Sequence, residues 1–320
     1  MTKLPDRPFH RNELPTLGIT PRQLRGYLAA ELVRRVLPAA YARSDLPDTI
    51  PLRAEAAALV LPRHSVICDR TAAWLHGIEC FDLAELETIP PLDVVSIDGN
   101  DRVRRNGTFG GKRTLTSDDI CDVDGVPVTT PLRTAADLAC LRGRRQAFAV
   151  LEAYMRQYGL TRKDLDGILP RFKGRRGVVQ LRELASFASP DSESMAESWT
   201  KLDIRDEGLP APVQQYWLAL EGYGNIRLDF AYPHLKIAIE YDGEEFHTLE
   251  HHRRADEARR EALRAAGWVV IVVRKNDFKR DTSEAWLREL RFAIAERTPR
   301  PKRVYARGDS LGPRRTRRTR

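Results

Sequence analysis

The alternation of apolar and polar positions is most regular in the last third of the chain, where it predicts an α/β domain. In order, the predicted elements are a helix, three strands, a helix, a strand and a helix, over residues 194–206, 213–220, 226–232, 236–242, 251–267, 268–274 and 283–296. The sixth, WVVIVVR, is apolar almost throughout, which is typical of a strand buried on both faces. Because a helix precedes it, we expect it to be parallel to a neighbouring strand.

The pattern before residue 190 predicts shorter helices and strands. Thr20 and Pro21 are typical of the N-cap and the first residue of a helix, and a short hairpin follows over 33–42. Further helices are predicted over 52–61, 69–77, 130–140, 144–158, 161–171 and 178–188, and strands over 65–68, 92–97 and 126–129, with Asp69 as an N-cap and 100–111 as a loop or hairpin. Ser, Pro and Asp cluster at 189–194, which predicts a domain boundary.

The first helix and hairpin carry exposed arginines, an arrangement typical of the end of a winged helix-turn-helix. The helix, with Arg22 and Arg25, would enter the major groove of DNA, and the hairpin, with Arg34 and Arg35, would contact phosphates. Small helix–hairpin units with arginines are also common in proteins that bind no DNA. We therefore expect a winged-helix-like segment over 1–50, an α+β region over 51–190, an α/β domain over 191–297 and a basic tail over 298–320.

Composition and charge narrow the class of protein. A 42% hydrophobic content is enough for buried cores, yet no apolar run is long enough to span a membrane. The four cysteines lack paired spacing, which argues against a structural zinc site and favours reduced thiols in a cytoplasm. The net charge of +8 comes from the last 24 residues, with ten Lys or Arg and one acid, Asp309. Such a tail either holds polyanions non-specifically or only keeps the protein soluble.

Acidic residues lie on two neighbouring strands of the predicted α/β domain. Glu240 and Asp242 share one face of the strand at 236–242, and Asp229 lies on the strand before it. Buried carboxylates are costly without partners, and Mg²⁺ prefers carboxylate ligands, so we predict a metal site at these three residues. His247 follows and would exchange protons near neutral pH. The alternative is that the acids are solvated, that Asp-Gly is an ordinary turn and that His247 lies in a solvated loop.

The segment IEYDGEEFH, followed by a basic helix and GWVVIVVR, resembles the family of very-short-patch-repair (Vsr) endonucleases within the PD-(D/E)XK superfamily. The resemblance covers residues 192–296 and implies a restriction-endonuclease-like αβββαβ fold. It implies that Asp229, Glu240 and Asp242 hold the metal, that His247 transfers protons, and that Glu197 lies near the metal. Asp256, Arg259 and Asp277 match further positions of the motif. The lysine of the superfamily is absent, because Asp242 takes its place.

The preceding part of the chain is similar to antitoxins of the abortive-infection AbiEi type. The similarity lies in LGITPRQLRGYLAAELVRRV, RTAAWLHGI and PVTTPLRTAADLAC. It implies a winged helix-turn-helix followed by a mixed region, so the part before 191 is expected to be mainly α. His76 and Asp137 fall within these motifs. We interpret His76 as a packed or surface histidine and not as a ligand, and Asp137 as structural.

Two functions follow as hypotheses. The first is a cytoplasmic, Mg²⁺- or Mn²⁺-dependent endodeoxyribonuclease, in which Arg254 and Arg259 of the charged helix face DNA phosphates. Ion pairs along an exposed helix would explain those arginines equally well. The alternative is a non-catalytic DNA-binding regulator, similar to an antitoxin, that carries a degenerate nuclease domain.

Overall fold

The computed structural model describes residues 4–62, 64–80, 91–97, 99–104, 108–243, 250–278 and 283–299. These residues form a mixed α/β protein with three sheets and, within the described ranges, ten α-helices. None of the described helices is both long and apolar enough to cross a bilayer.

The N-terminal unit combines one helix with a small antiparallel sheet. Its elements are β1 (Phe9–His10), α1 (Pro21–Ala29), β2 (Val33–Leu37) and β3 (Ala40–Arg43), with β3 in the centre of the sheet. The Thr20 hydroxyl accepts a hydrogen bond from the backbone of Gln23, whose side chain reaches back, so the predicted cap is a full capping box.

The β2–β3 hairpin packs against the following region at the residues that flank its half-buried turn. Leu37 and Ala40 belong to the same core cluster as Leu52 and Val128 of the following region. Apolar side chains at the turn explain this docking, because burying them removes their surface from water. Any contact of the hairpin with phosphates would have to come from its sides.

The middle region combines helices with a five-stranded mixed sheet. Helix α2 (Ile50–Ala58) precedes β4 (Ser65–Ile67), α3 (Asp69–Leu75), β5 (Leu92–Ser96), β6 (Thr108–Lys112), β7 (Ile120–Val123) and β8 (Val126–Thr129), in the sheet order β6-β5-β4-β8-β7. Strand β6 pairs in parallel with β5 and forms no hairpin with it. Cys68, not Asp69, is the N-cap of α3 and makes no side-chain cap.

Four helices follow this sheet in the chain and lead to the last domain. They are α4 (Pro131–Leu141), α5 (Arg144–Tyr158), α6 (Arg162–Ile168) and α7 (Val178–Ala185). The predicted helix over 161–171 ends as α at Ile168 and continues as a 3-10 turn over Leu169–Phe172. Helix α5 is the centre of the helical layer, since Phe148, Leu151 and Tyr154 are fully buried.

The C-terminal domain has the predicted order of elements. They are α8 (Met195–Asp206), β9 (Val213–Leu220), β10 (Gly224–Tyr232), β11 (Ile237–Asp242), α9 (Glu250–Ala265), β12 (Val269–Arg274) and α10 (Ser283–Arg297), in the sheet order β12-β11-β10-β9. Strand β12 pairs in parallel with β11, which confirms that prediction. One side of the sheet packs against α10 around Trp286, and the other against α9 around Leu263.

Helix α8 packs against the middle region as well as against its own sheet. Leu202 belongs to the core cluster of α5, whereas Ile204 belongs to that of the C-terminal sheet. The Arg145 guanidinium also donates two hydrogen bonds of 2.8 Å to Asp203. The middle region precedes residues 189–194 and the C-terminal domain follows them. The two therefore share a packed interface across this predicted boundary.

Candidate functional site

A cleft of about 870 Å³ lies between the middle region and the C-terminal domain. The middle region contributes Ile78, Ala153 and Arg156, and the C-terminal domain contributes two of the predicted acids, Glu197 and Asp229. A cleft between two packed units is a common place for a ligand site.

Glu197 is fixed at the start of α8 by the capping of that helix. The backbone N–H of Glu197 donates to the Ser194 hydroxyl oxygen at 3.1 Å, and the Ser194 hydroxyl donates back to its carboxylate at 2.9 Å. The backbone N–H of Glu193 and the Gln215 amide each donate to Oε2 of Glu197 at 2.9 Å. Burial raises the pKa of Glu197, and the negative charge of Asp229 adds to that rise.

Asp229 lies on β10 near the end of β11. Its Oδ2 accepts a hydrogen bond of 2.9 Å from the backbone N–H of Tyr241, so the carboxylate is held across the two strands. Burial raises its pKa, although this hydrogen bond and the charges of Arg259 and Arg227 oppose the rise. The negative charge of Asp229 also contributes to raising the pKa of Glu197 and of Glu240, so Asp229 lies within electrostatic reach of both glutamates.

Glu240 and Asp242 are held by arginines of α9. Glu240 is only 3% exposed, and its Oε2 accepts a hydrogen bond of 3.1 Å from Arg259. Asp242 accepts one of 2.8 Å from Arg260. Burial raises the pKa of Glu240, and its Oε1 is buried with no hydrogen-bond partner among the described residues. The two guanidiniums therefore pair with two of the three acids that the sequence assigns to a metal.

The three predicted metal ligands, Asp229, Glu240 and Asp242, all lie within the residues that the structure describes. Among those residues, no three carboxylate, thiol or imidazole groups come together in an arrangement that would hold a metal ion. His247 lies outside the described residues. The Mg²⁺ or Mn²⁺ site therefore stays a prediction.

The arginines predicted to contact DNA differ in their surroundings. In α1, Arg22 and Arg25 are exposed. Arg34 donates to the Leu46 carbonyl oxygen at 3.2 Å, which ties it to the protein surface. Arg35 is exposed, with its guanidinium 5.9 Å from the centre of the Tyr41 ring. In α9, Arg254 is exposed, whereas Arg259 is engaged with Glu240.

Sequence reasoning missed a buried network of ion pairs in the middle region. Arg133 is 3% exposed and lies 2.7 Å from Asp137 and 3.0 Å from Asp119. Arg113 donates to both carboxylate oxygens of Asp69 and also to Asp137. Arg133 and Asp137 are four positions apart on α4, but the other partners are up to 44 positions apart, so local spacing does not indicate the network. Asp137 is structural, as predicted.

His76 is a packed residue, which decides between the packed and surface positions that the sequence left open. It is 2% exposed, and its Nδ1 lies 2.9 Å from the Tyr154 hydroxyl, while its Nε2 is buried without a hydrogen bond among the described residues. Burial lowers the pKa of His76 to about 4. The imidazole is therefore neutral at physiological pH and supports the wall of the cleft formed by Gly77 and Ile78.

Comparison with known proteins supports one of the two resemblances. Residues 65–187 match the family model of the AbiEi antitoxin C-terminal domain, which confirms the AbiEi-like prediction over that range. The likeness of the C-terminal domain to Vsr endonucleases stays a prediction.

Two uncharacterized proteins of Mycobacterium tuberculosis are similar to most of the chain. One is from strain CDC 1551 / Oshkosh and the other from strain ATCC 25618 / H37Rv. Each is 30% identical over 254 residues, which is 77% of this chain and 87% of the relative. The chain thus belongs to the same protein family as these two mycobacterial proteins, with a middle region similar to the AbiEi antitoxin C-terminal domain.

Proposed function

We propose that the protein is a DNA-binding regulator of the antitoxin type. The observation that carries this proposal is the exposure of Arg22 and Arg25 on α1, next to a region that matches an antitoxin family. Neither arginine has an ion pair within the described residues, whereas Arg43 and Arg53 nearby are paired with aspartates. Two uncompensated guanidiniums on one short helix suit the phosphates and base edges of DNA.

The local structure of α1 suits this role. Thr20 and Pro21 fix its first turn, so the helix begins at a defined position. Leu24 is buried and holds α1 on the hairpin, leaving the opposite face to enter a groove. Gly26 lies on that face, and a Cβ at this position would have no atom within 4 Å apart from its neighbours in the helix, which permits close approach of a duplex.

Selection of duplexes from a random DNA pool, followed by fluorescence anisotropy, tests the proposal. The double variant Arg22→Ala/Arg25→Ala is expected to bind the selected DNA at least about tenfold more weakly, with a smaller dependence on salt. Arg182→Ala is the matched control, because Arg182 is an exposed arginine on another helix, α7. Equal affinity of the double variant and the control would reject the assignment of α1.

A second candidate is a metal-dependent endonuclease, and one specific observation favours it. Glu240 Oε1 is a buried oxygen without a partner among the described residues, on the strand next to Asp229. A divalent cation would satisfy this oxygen, so the donor set of Asp229 and Glu240 fits Mg²⁺ or Mn²⁺. Bound there, the cation would polarise the scissile phosphate. Glu197 would orient a water molecule through its buried carboxylate, and His247 would exchange the proton.

Cleavage of supercoiled plasmid with Mg²⁺ or Mn²⁺ tests this candidate. The wild-type protein is expected to nick or cut the plasmid, and Asp229→Ala and a chelator are each expected to abolish cleavage. Asp124→Ala, at an exposed turn of the middle region, serves as a control for the loss of an acid. DNA binding without cleavage under either metal would leave the regulator as the function.

A further inference from the structure

The acidic cleft is connected to the middle region through a fully buried carboxylate, Glu152 of α5. Glu152 is 0% exposed and accepts hydrogen bonds from three donors. These are the Ser189 backbone N–H at 3.0 Å, the Ser192 hydroxyl at 2.7 Å and the Lys201 ammonium at 2.7 Å. A buried carboxylate is tolerated only with such compensation, so its place in the fold is strongly determined.

The turn at 189–192 is held from several elements at once. Lys201 of α8 donates to the Ser189 hydroxyl oxygen at 2.6 Å, in addition to its ion pair with Glu152. Gln214 of β9 donates to the Ser192 hydroxyl oxygen at 3.1 Å, and Arg156 of α5 donates to the Ser192 carbonyl oxygen. Glu152 lies at the centre of these contacts, since it bonds both ends of the turn.

The residues that follow the turn carry the carboxylates of the cleft. Glu193 comes directly after Ser192, and its backbone N–H donates to Glu197. The Glu193 carboxylate pairs with Arg227, the residue two positions before Asp229 on β10. The position of the turn therefore sets where α8 begins and how Glu197 lies relative to Asp229.

We propose that Glu152 is a positioning residue of the acidic cleft, which fixes Glu193 and Glu197 opposite Asp229 through the 189–192 turn. The proposal rests on the nuclease candidate, in which this cleft is the reactive site. It assigns the AbiEi-like middle region a direct part in building that site. A carboxylate outside the C-terminal domain is thus required for the cleft to hold its geometry.

Amide hydrogen exchange of the full chain, measured by NMR, tests the positioning role. In Glu152→Gln, we expect the amides of Ser189 and Glu193 to exchange at least about tenfold faster, with those of Ile239 and Ile271 unchanged. Glu183→Gln is the matched control, because Glu183 of α7 also forms an ion pair between two helices, with Arg144 of α5, but at an exposed position. Unchanged exchange at Glu193, or equal acceleration at all these amides, would overturn the proposal.

A second variant and a second measurement separate the possible failures. If Glu152→Gln does not fold, Ser192→Ala removes one link and keeps the Glu152–Lys201 pair, and the Glu193 amide must still exchange faster. Titration with Mn²⁺, followed by electron paramagnetic resonance, is expected to show at least about fivefold weaker binding in Glu152→Gln than in Glu183→Gln. Absence of Mn²⁺ binding by the wild-type protein would reject the nuclease candidate, independently of the exchange result.

Discussion

Arg260 of α9 donates a hydrogen bond of 2.8 Å to Asp242 at the end of β11, and its Nε lies 3.7 Å from Glu240. Both acids stand where the sequence predicts metal ligands. The guanidinium raises the cost of placing a cation there, because a metal would compete with a charge that the chain already supplies. This pair bears directly on whether the C-terminal domain is a working nuclease or a scaffold.

Replacing Arg260 by Ala is expected to lower the free energy of unfolding by about 3 kcal/mol, because it leaves largely buried carboxylates with less compensation. Urea denaturation at pH 7 measures this change. Arg264→Ala is the matched control one turn further along α9: its partner Glu257 is 53% exposed, so a loss of less than about 0.5 kcal/mol is expected. Similar small losses in both variants would contradict the importance of the Arg260 contacts.

Asp229→Asn is expected to stabilise the protein at neutral pH. Burial raises the pKa of Asp229, so the folded state holds its proton to higher pH than the unfolded chain does. The stability contributed by the protonated Asp229 side chain is fully present below about pH 4 and is lost as the pH rises through the pKa of Asp229 in the folded state. Asparagine avoids the loss and can still accept a hydrogen bond from the Tyr241 backbone, so a gain in the free energy of unfolding at pH 7 is expected.

Thermal and urea unfolding between pH 3.5 and pH 7 measure this gain. The stability difference between Asp229→Asn and wild type is expected to grow with pH. Asp124→Asn is the control, since Asp124 is exposed in a turn with a positive φ that asparagine tolerates. A pH-independent difference for Asp229→Asn would show that burial does not disfavour its charge.

The C-terminal domain was predictable because its sequence pattern is local. Strand β9 has the predicted bounds, and the helix predicted over 194–206 is α8, whose N-cap Ser194 brings Glu197 to the cleft. The pairing of Arg259 with Glu240 was not predictable, since it depends on how α9 lies across the sheet. Side-chain partners distant in sequence leave no periodic signal.

Strand β6 was missed for a different reason. Its sequence, TFGGK, contains two glycines, which weaken a strand prediction. The structure explains Gly110: a Cβ there would lie 2.0 Å from the Val103 carbonyl oxygen, so the backbone passes too close for any side chain. A glycine required by tertiary contact is indistinguishable, in sequence, from one that breaks a strand.

The wild-type protein is expected to lose stability in mild acid because of His76, and His76→Asn is expected to remove that loss. Burial lowers the pKa of His76 to about 4, below that of the unfolded chain. The contribution of the neutral His76 side chain to the free energy of unfolding is therefore present above about pH 6.5. As the pH falls towards 4, up to about 3 kcal/mol of it is lost. Asparagine keeps a hydrogen-bonding group for Tyr154 but does not titrate in this range.

Urea denaturation at pH 7 and pH 4.5 compares His76→Asn with wild type. The stability of the wild-type protein relative to the variant is expected to fall by about 2 kcal/mol between the two pH values. His234→Asn is the control, since His234 is exposed. An equal pH dependence of wild type and His76→Asn would show that His76 is protonated in the folded protein.

Leu37→Ala tests whether the hairpin turn is docked or free. Leu37 is 4% exposed within the core cluster of the middle region, so truncation is expected to lower the free energy of unfolding by about 3 kcal/mol. Leu32→Ala, at a leucine that is 54% exposed just before the hairpin, is expected to change it by less than about 0.5 kcal/mol. A free wing predicts two small and similar changes. A larger loss of stability in Leu37→Ala than in Leu32→Ala, with DNA affinity unaltered in both variants, would restrict nucleic-acid contact to α1 and the sides of the hairpin.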